Sequence, residues 1–232
     1  MMRIRRANDR GSFDHGWLKT SHTFSFGDYH DAEHMGFRSL RVINDDVVAP
    51  AQGFGEHGHR DMEIITYPLA GAVRHRDSLG HEEDVTPGMI QRMSAGRGIR
   101  HAEFNPSRTG ETHLLQVWIL PRERGLDPRH ESRAFPVHDQ PGRLHLLASG
   151  DGRDGSLQIE QDADVLAGVV RAGDRATLGV RPGRGVWVHV ATGEVTVNGQ
   201  RLGAGDGAAI EDEGEVALSS DSVGEVLIFD MA

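Results

Sequence analysis

Short apolar runs separated by turn residues recur along the chain, and their lengths predict strands. The runs follow one another at intervals of roughly 8–12 residues, which is typical of an all-β sandwich or barrel. In the first half, strands are predicted within residues 20–26, 37–48, 62–69, 73–76 and 113–120, and after the Pro87-Gly88 turn. Residues 126–133 are predicted to form one or two helical turns, because Asp127-Pro128 offers an N-cap and a proline at the first helical position.

The second half repeats this pattern with different residues. Strands are predicted at residues 144–148, 165–171, 176–180, 186–190, 194–197, 208–210, 216–218 and 226–229. Asn198-Gly199 predicts a two-residue hairpin turn between two of them. The periodicity is lost around residues 136–141, so we predict two domains, residues 1–136 and residues 137–232.

The charge and the apolar content of the chain indicate which kinds of molecule it can bind. The 35 acidic and 25 basic residues give a net charge of −10, which argues against nucleic acid as a direct partner because phosphates need local positive charge. A protein partner remains open. No segment approaches the roughly 18 apolar residues needed to cross a membrane, and the first residues contain no apolar signal region. We therefore expect a cytoplasmic protein that does not contact a membrane.

Four residues form a candidate metal site. The chain contains no cysteine, so histidine and carboxylate side chains must supply any ligands. His57 and His59 are two residues apart and would point to the same side of a strand. Taken alone, this pair is explained equally well as two solvated polar residues. His101 and Glu103 have the same spacing and would add an imidazole and a carboxylate from a neighbouring strand, a donor set that suits Fe, Mn, Ni, Cu or Zn.

Six other histidines are interpreted as surface or hydrogen-bonding residues rather than as metal ligands. His81 and Glu83 repeat the His-x-Glu spacing, but residues 81–84 are so charged that we interpret them as a solvated loop. His189 lies inside a predicted strand with no second ligand nearby, so we interpret it as a hydrogen-bonded strand residue. Four histidines in the polar N-terminal region are interpreted as surface or hydrogen-bonding groups: His15, His22, His30 and His34. No Gly-x-Ser-x-Gly motif predicts a serine nucleophile.

These motifs resemble those of a known family. The patterns His57-x-His59-x3-Glu63 and His101-x3-Asn105 resemble the two motifs of the cupin superfamily, and more specifically the pirin family. The matching stretches lie in order within residues 20–121: 21–29, 40–46, 57–64, 75–80, 94–103 and 115–118. Two positions depart from the usual pattern, Ala51 in place of glycine and Ala102 in place of serine, and neither is a candidate ligand.

The resemblance implies an all-β bicupin fold, with two antiparallel jelly-roll-like β-barrels and few short helices. It also implies that only the N-terminal barrel keeps metal ligands, at His57, His59, His101 and Glu103. The second half agrees, since His189 inside its predicted strand has no second ligand spaced near it. Glu63 matches the usual cupin carboxylate, but pirins are thought to use the position of Glu103, so we expect Glu63 to orient a histidine from outside the ligand set.

Some bacterial pirin-like proteins are quercetin 2,3-dioxygenases, and the resemblance implies that activity here. One divalent metal is expected, Fe(II) first, with Mn, Ni, Co, Cu or Zn as alternatives. A flavonol-like aromatic substrate would react with O2 and release carbon monoxide, and Glu103 would act as ligand and base. Two alternatives stay open. The chain could be a non-enzymatic, redox-sensing protein that binds a protein partner, or a metal-dependent isomerase or another oxygenase.

Overall fold

Antiparallel strands account for nearly all regular structure in the computed structural model, which describes residues 1–232. In chain order the strands are β1 (Met2–Arg5), β2 (Gly11–Asp14), β3 (Leu18–His22), β4 (Leu40–Val48), β5 (Gly53–His59), β6 (Glu63–Ala70), β7 (Val73–Asp77), β8 (Glu82–Val85), β9 (Met89–Ser94), β10 (Ile99–Phe104), β11 (Thr112–Ile119), β12 (Arg129–Ala134), β13 (His145–Ser149), β14 (Leu157–Gln158), β15 (Ala163–Arg171), β16 (Arg175–Gly179), β17 (Gly185–Val197), β18 (Gln200–Gly203), β19 (Gly207–Glu211), β20 (Glu215–Ser219) and β21 (Val223–Met231). Only two short 3₁₀ turns are helical, Ala7–Asp9 and Arg153–Gly155. The predicted all-β class is confirmed. No helix is long and apolar enough to cross a membrane.

The first barrel consists of Gly11–Ala134 with the short segment Ile159–Gln161. It contains a seven-stranded sheet, in the order β12-β9-β6-β11-β4-β3-β2, and a four-stranded sheet, in the order β5-β10-β7-β8. The inner strand β4 lies between β3 and β11, and six of its nine residues are buried, among them the polar residues Asn44 and Asp46. This barrel holds all four predicted metal ligands.

The second barrel consists of Met1–Arg10, Phe135–Gln158 and Asp162–Ala232. Its strands form one ten-stranded sheet with an apolar core of valine, leucine and isoleucine side chains from β15, β17, β19 and β21. His189 lies fully buried in β17. Asn198 and Gly199 both have positive φ between β17 and β18, which confirms the predicted hairpin turn.

The two compact units differ from the predicted ranges 1–136 and 137–232 at two places. Residues 1–10 lie in the second barrel, because β1 pairs with β19 from Met2 opposite Ile210 to Arg5 opposite Gly207. Ile159–Gln161 lies in the first barrel. The main body of the first barrel ends at Ala134, two residues before the predicted boundary.

Two local predictions are wrong. The segment predicted to be helical contains β12, because its residues pair with β9 from Arg129 opposite Ser94 to Ala134 opposite Met89. Backbone hydrogen bonds across a sheet edge outweigh the local helix-start signal at Asp127-Pro128. The charged run at residues 81–84 is likewise mostly strand, since β8 pairs with β7.

Candidate metal centre and adjoining cavity

Three imidazoles converge where β5 and β10 pair. His101 lies opposite His57 in the register, and His59 lies opposite Ile99. The Nε2 atoms of His57 and His101 are 3.1 Å apart, and one ligand nitrogen from each of the three rings lies within 4.8 Å of the others. His57 and His59 face the same side because they are two residues apart on one strand, as predicted. These three rings could hold one metal ion.

Glu103 lies next to this group but is held from the opposite sheet. Thr66 on β6 donates a hydrogen bond of 2.8 Å to its Oε1 atom, and Gln116 on β11 donates one of 2.7 Å to its Oε2 atom. Its carboxylate forms a close cluster with His101 and His75 rather than with all three imidazoles. The structure therefore brings the three histidines together directly and places Glu103 beside them, against His101.

A β-bulge explains this offset. The register of β5 and β10 shifts between His101, which faces His57, and Glu103, which faces Phe54. Such bulges redirect side chains and often occur beside functional sites. Gly53 permits the close approach of the two strands here, since any Cβ at this position would clash with the carbonyl oxygen of Glu103.

Burial sets the protonation of the group. Burial is the main cause that lowers the pKa of His101 to about 2, and the neighbouring His57 and His59 contribute to this shift. Burial also lowers the pKa of His59 to about 4, and the neighbouring His57 adds to this. Both rings are therefore neutral at neutral pH, with lone pairs ready for a metal. In contrast, burial raises the pKa of Glu103, although Thr66 and His75 oppose the shift.

These shifts predict a pH-dependent stability for the metal-free protein. Between about pH 4 and pH 6.5 the unfolded chain binds a proton at His59 that the folded chain does not, so this residue's contribution is complete above pH 6.5 and is lost as pH falls. We expect His59→Asn to flatten the fall in unfolding free energy over that window, by up to about 1.4 kcal/mol per pH unit. Urea unfolding with a chelator present, at several pH values, measures the difference. Parallel pH profiles for the two proteins would contradict it.

Gln116 is expected to stabilise the fold through Glu103. In Gln116→Leu the buried Oε2 atom loses its donor, and an unsatisfied buried acceptor costs about 1–3 kcal/mol. We expect the unfolding free energy to fall by that amount in urea titrations at pH 7. The exposed glutamine of the same barrel provides the control, and Gln52→Leu should change stability by less than about 0.5 kcal/mol. Equal stabilities for the two variants would contradict the role of Gln116.

A cavity of about 280 Å³ adjoins the three imidazoles inside the first barrel. Trp118 packs edge-on against His59, with 5.0 Å between ring centroids, and against Phe26 at 5.2 Å. Apolar side chains form much of the wall, and polar side chains from β3, β4, β10 and β11 are interspersed. The lining includes Phe13, Leu18, Thr20, His22, Asn44, Asp46, Phe54, Ile64 and Gln116. A concave, mostly apolar space with a few polar groups is typical of small-molecule sites.

Comparison with known proteins assigns the family. Residues 2–119 match the family model described as Pirin, and residues 146–231 match the model described as Quercetinase C-terminal cupin domain. The chain belongs to the pirin family. The bicupin fold expected from the resemblance is thereby confirmed for this pirin.

Relatives match this pirin over nearly its full length. A protein named quercetin 2,3-dioxygenase from Escherichia coli (strain K12) is 48% identical, with 100% of this chain and 99% of the relative covered. A pirin-like protein from Caulobacter vibrioides is 44% identical, with 96% of each covered. Among solved structures, the bacterial pirin YhhW from Escherichia coli in complex with nickel(II) superposes with a TM-score of 0.94, 47% identity, and coverage of 100% and 99%.

A second polar cluster in this pirin was missed by the sequence analysis. His75 and Asp77 are buried on β7, with 3.1 Å between Nε2 and Oδ2, and His130 stacks on His75 at 4.6 Å. His81 reaches Asp77 at 3.0 Å but belongs to no close cluster with the three imidazoles. The alternation along residues 75–77 could have placed His75 and Asp77 on one face, whereas only the fold shows that His130 joins them.

Two other predicted roles need correction. Glu63 accepts hydrogen bonds from the Ser94 hydroxyl, at 2.7 Å, and from the backbone of Glu160, so it does not orient a histidine as expected. His22 is 7% exposed and lines the cavity, so it is not a surface residue. His15 is exposed and His34 hydrogen-bonds to Asp31 at 2.9 Å, as expected. His30 is exposed as expected. Contact between β3 and the cavity depends on the barrel closing, which no local pattern reveals.

Proposed function

We propose that this pirin is a metal-dependent dioxygenase of the quercetin 2,3-dioxygenase type, with His57, His59, His101 and Glu103 as the ligands of one divalent ion. The observation that carries the proposal is the cluster of three imidazoles at the wall of a mostly apolar cavity that includes Phe26 and Trp118. Relatives carrying the quercetin dioxygenase name and the nickel-bound YhhW structure support it.

The donor set fits such an ion. His59 and His101 are neutral because burial lowers the pKa of each, so neither ring has to release a proton when a metal binds. No thiol competes, since the chain has no cysteine. Imidazole and carboxylate donors together suit iron, manganese, nickel, cobalt, copper and zinc, and Fe(II) remains the first expectation. When bound, the ion supplies the Lewis acidity and redox capacity that reaction of the substrate with O2 needs.

The residues of the chain then have separate tasks. Trp118 and Phe26 present ring faces and edges along which a flat aromatic molecule can lie. Glu103 takes the proton of the flavonol hydroxyl that faces the imidazoles, because burial raises the pKa of its carboxyl and makes it a stronger base. Thr66 and Gln116 hold both carboxylate oxygens while this proton moves. His101 and Glu103 are 2% and 4% exposed, which limits the access of bulk water to this end of the cavity.

Turnover of a flavonol tests the proposal directly. Protein loaded in separate samples with Fe, Mn, Ni, Co or Cu is incubated with quercetin under oxygen, while flavonol absorbance and released carbon monoxide are followed. We expect flavonol loss, matched by carbon monoxide release, with at least one metal, and none with metal-free protein. Absence of turnover with every metal, in samples whose metal content has been verified, would contradict the proposal.

A further inference from the structure

Two polar side chains of β4 line the cavity, and each has one oxygen atom that lacks a well-formed hydrogen bond. Asn44 and Asp46 both line the cavity and are 4% and 3% exposed. The Oδ1 atom of each is buried and accepts no hydrogen bond of good geometry, and the one donor beside the Asp46 carboxyl is the Thr20 hydroxyl on the paired strand β3. Buried polar atoms are nearly always hydrogen-bonded, and an exception calls for an explanation such as a ligand. Two such oxygens on one strand face, next to a cavity, indicate a place where a ligand completes the bonding.

The register places Asp46 away from the three imidazoles. Asn44 is opposite Gln116, which binds Glu103, whereas Asp46 is opposite Leu114 on one side and Thr20 on the other. On the other side of Asn44 along β4, Val42 is opposite Trp118, which packs against His59. Asp46 therefore lies two side-chain levels from Trp118, beside the apolar cluster formed by Leu18, Val48, Val73 and Leu114 with Trp17 and Phe54.

The environment of Asp46 compensates its charge only in part. Burial is the main cause that raises the pKa of its carboxyl to about 7, and Asp45 and Glu103 contribute to the rise. The hydrogen bond from Thr20 and the nearby His113 oppose this shift. No arginine or lysine lines the cavity. An apolar residue would fill this position at a lower cost to the fold, so the carboxyl at this level is more easily explained by binding than by stability.

We propose that Asp46 determines the specificity of the cavity by binding a hydroxyl group at the end of an aromatic ligand that lies away from the three imidazoles. This inference rests on the proposed function. A hydroxyl fits because it can donate to the free Oδ1 of Asp46 and because the Oδ1 of Asn44 offers a second acceptor two residues away. A purely apolar ring would leave both oxygens unsatisfied, which opposes binding.

Binding of a flavonol series to metal-loaded protein under argon tests the proposal, with turnover prevented by the absence of oxygen. Quercetin is compared with analogues that each lack one hydroxyl, and affinity is followed by quenching of tryptophan fluorescence and by calorimetry. For the wild type at pH 8, where most Asp46 carboxyls are ionised, we expect loss of one particular hydroxyl, other than the one facing the imidazoles, to weaken binding about ten- to a hundredfold, as for a hydrogen bond to a charged group. In Asp46→Leu the same deletion should change affinity less than about threefold.

A matched control and a stability measurement separate binding from structure. Asp45→Asn alters the neighbouring carboxyl, which pairs with His113 at 2.6 Å and does not line the cavity, and should keep the wild-type discrimination. We expect Asp46→Leu to melt at the same temperature as the wild type or a few degrees higher, because a buried carboxyl whose charge is compensated only in part is removed. A nearly isosteric second variant, Asp46→Asn, should fold like the wild type and discriminate less strongly than it does.

The outcomes distinguish the inference from the function on which it rests. If the wild type turns over quercetin but every hydroxyl deletion has the same effect in wild type, Asp46→Leu and Asp46→Asn, the inference is overturned and the proposed function stands. Lower melting temperatures in both variants, with an equal loss of affinity for all analogues, would show that Asp46 is structural and would also overturn it. If the metal-loaded wild type binds no flavonol, both fail together.

Discussion

Replacement of His101 by alanine is expected to abolish stable metal binding. This residue is 2% exposed and its Nε2 atom lies 3.1 Å from that of His57, so it is the ring through which β10 contributes to the three-imidazole group. Loss of an outer-shell partner typically costs 10–100-fold in metal affinity, and we expect loss of one of the three rings to cost more than about a hundredfold. Metal content after dialysis should fall from about one ion per chain to below about a tenth of one.

The matched control is the exposed His30, which lies outside the cavity. His30→Ala removes the same chemical group from the same barrel and should keep the full metal content. Melting curves of the metal-free proteins verify that His101→Ala is folded. Equal metal content in a folded His101→Ala and in the wild type would rule out the proposed ligand set.

The second large effect concerns the proton of the substrate. We expect Glu103→Gln to lower quercetin turnover by about 10²–10⁴-fold, the range typical of losing a general base. The amide has nearly the shape of the carboxyl and can still accept the hydrogen bond from Thr66, but it cannot take a proton. Turnover is measured per bound metal ion, so that any loss of metal from the variant is separated from loss of the base.

Glu63 supplies the control for this variant. It is a buried carboxyl of the same barrel, its pKa is also raised by burial, and its partner is Ser94 rather than a group in the cavity. Glu63→Gln should therefore leave turnover per metal within about threefold of the wild type. Full activity of a metal-loaded Glu103→Gln would show that another group accepts the proton.

The sequence predicted the strands and the residue types of the site better than their arrangement. His57, His59 and His101 were found because two-residue spacing on a strand is a local property. The position of Glu103 beside His101 and His75 was not predictable, since it depends on a register shift between β5 and β10. The donors Thr66 and Gln116 come from two further strands, and only the closed barrel brings them to the carboxylate.

Errors arose where a local signal competed with pairing. Asp127-Pro128 is a good helix start, yet the residues that follow it complete the edge of a sheet beside β9. The charge of residues 81–84 is typical of a loop, yet β8 is an edge strand, where charged side chains reach solvent easily. Asp46 was noticed only as part of a matching stretch, because alternation reveals which way a side chain points but not whether it finds a partner.

The pairing of β1 with β19 has a consequence for synthesis of the chain. Met2 is synthesised 208 residues before its partner Ile210. At synthesis rates of about 5–20 residues per second, β1 must wait on the order of 10–40 s for its partner. The first barrel consists of Gly11–Ala134 and Ile159–Gln161, so all of its residues are synthesised before most strands of the second barrel. The barrel with the three imidazoles can therefore form first. A ribosome stalled far enough beyond residue 161 for that residue to have left the exit tunnel should therefore carry a folded, metal-competent barrel preceded by an unpaired β1.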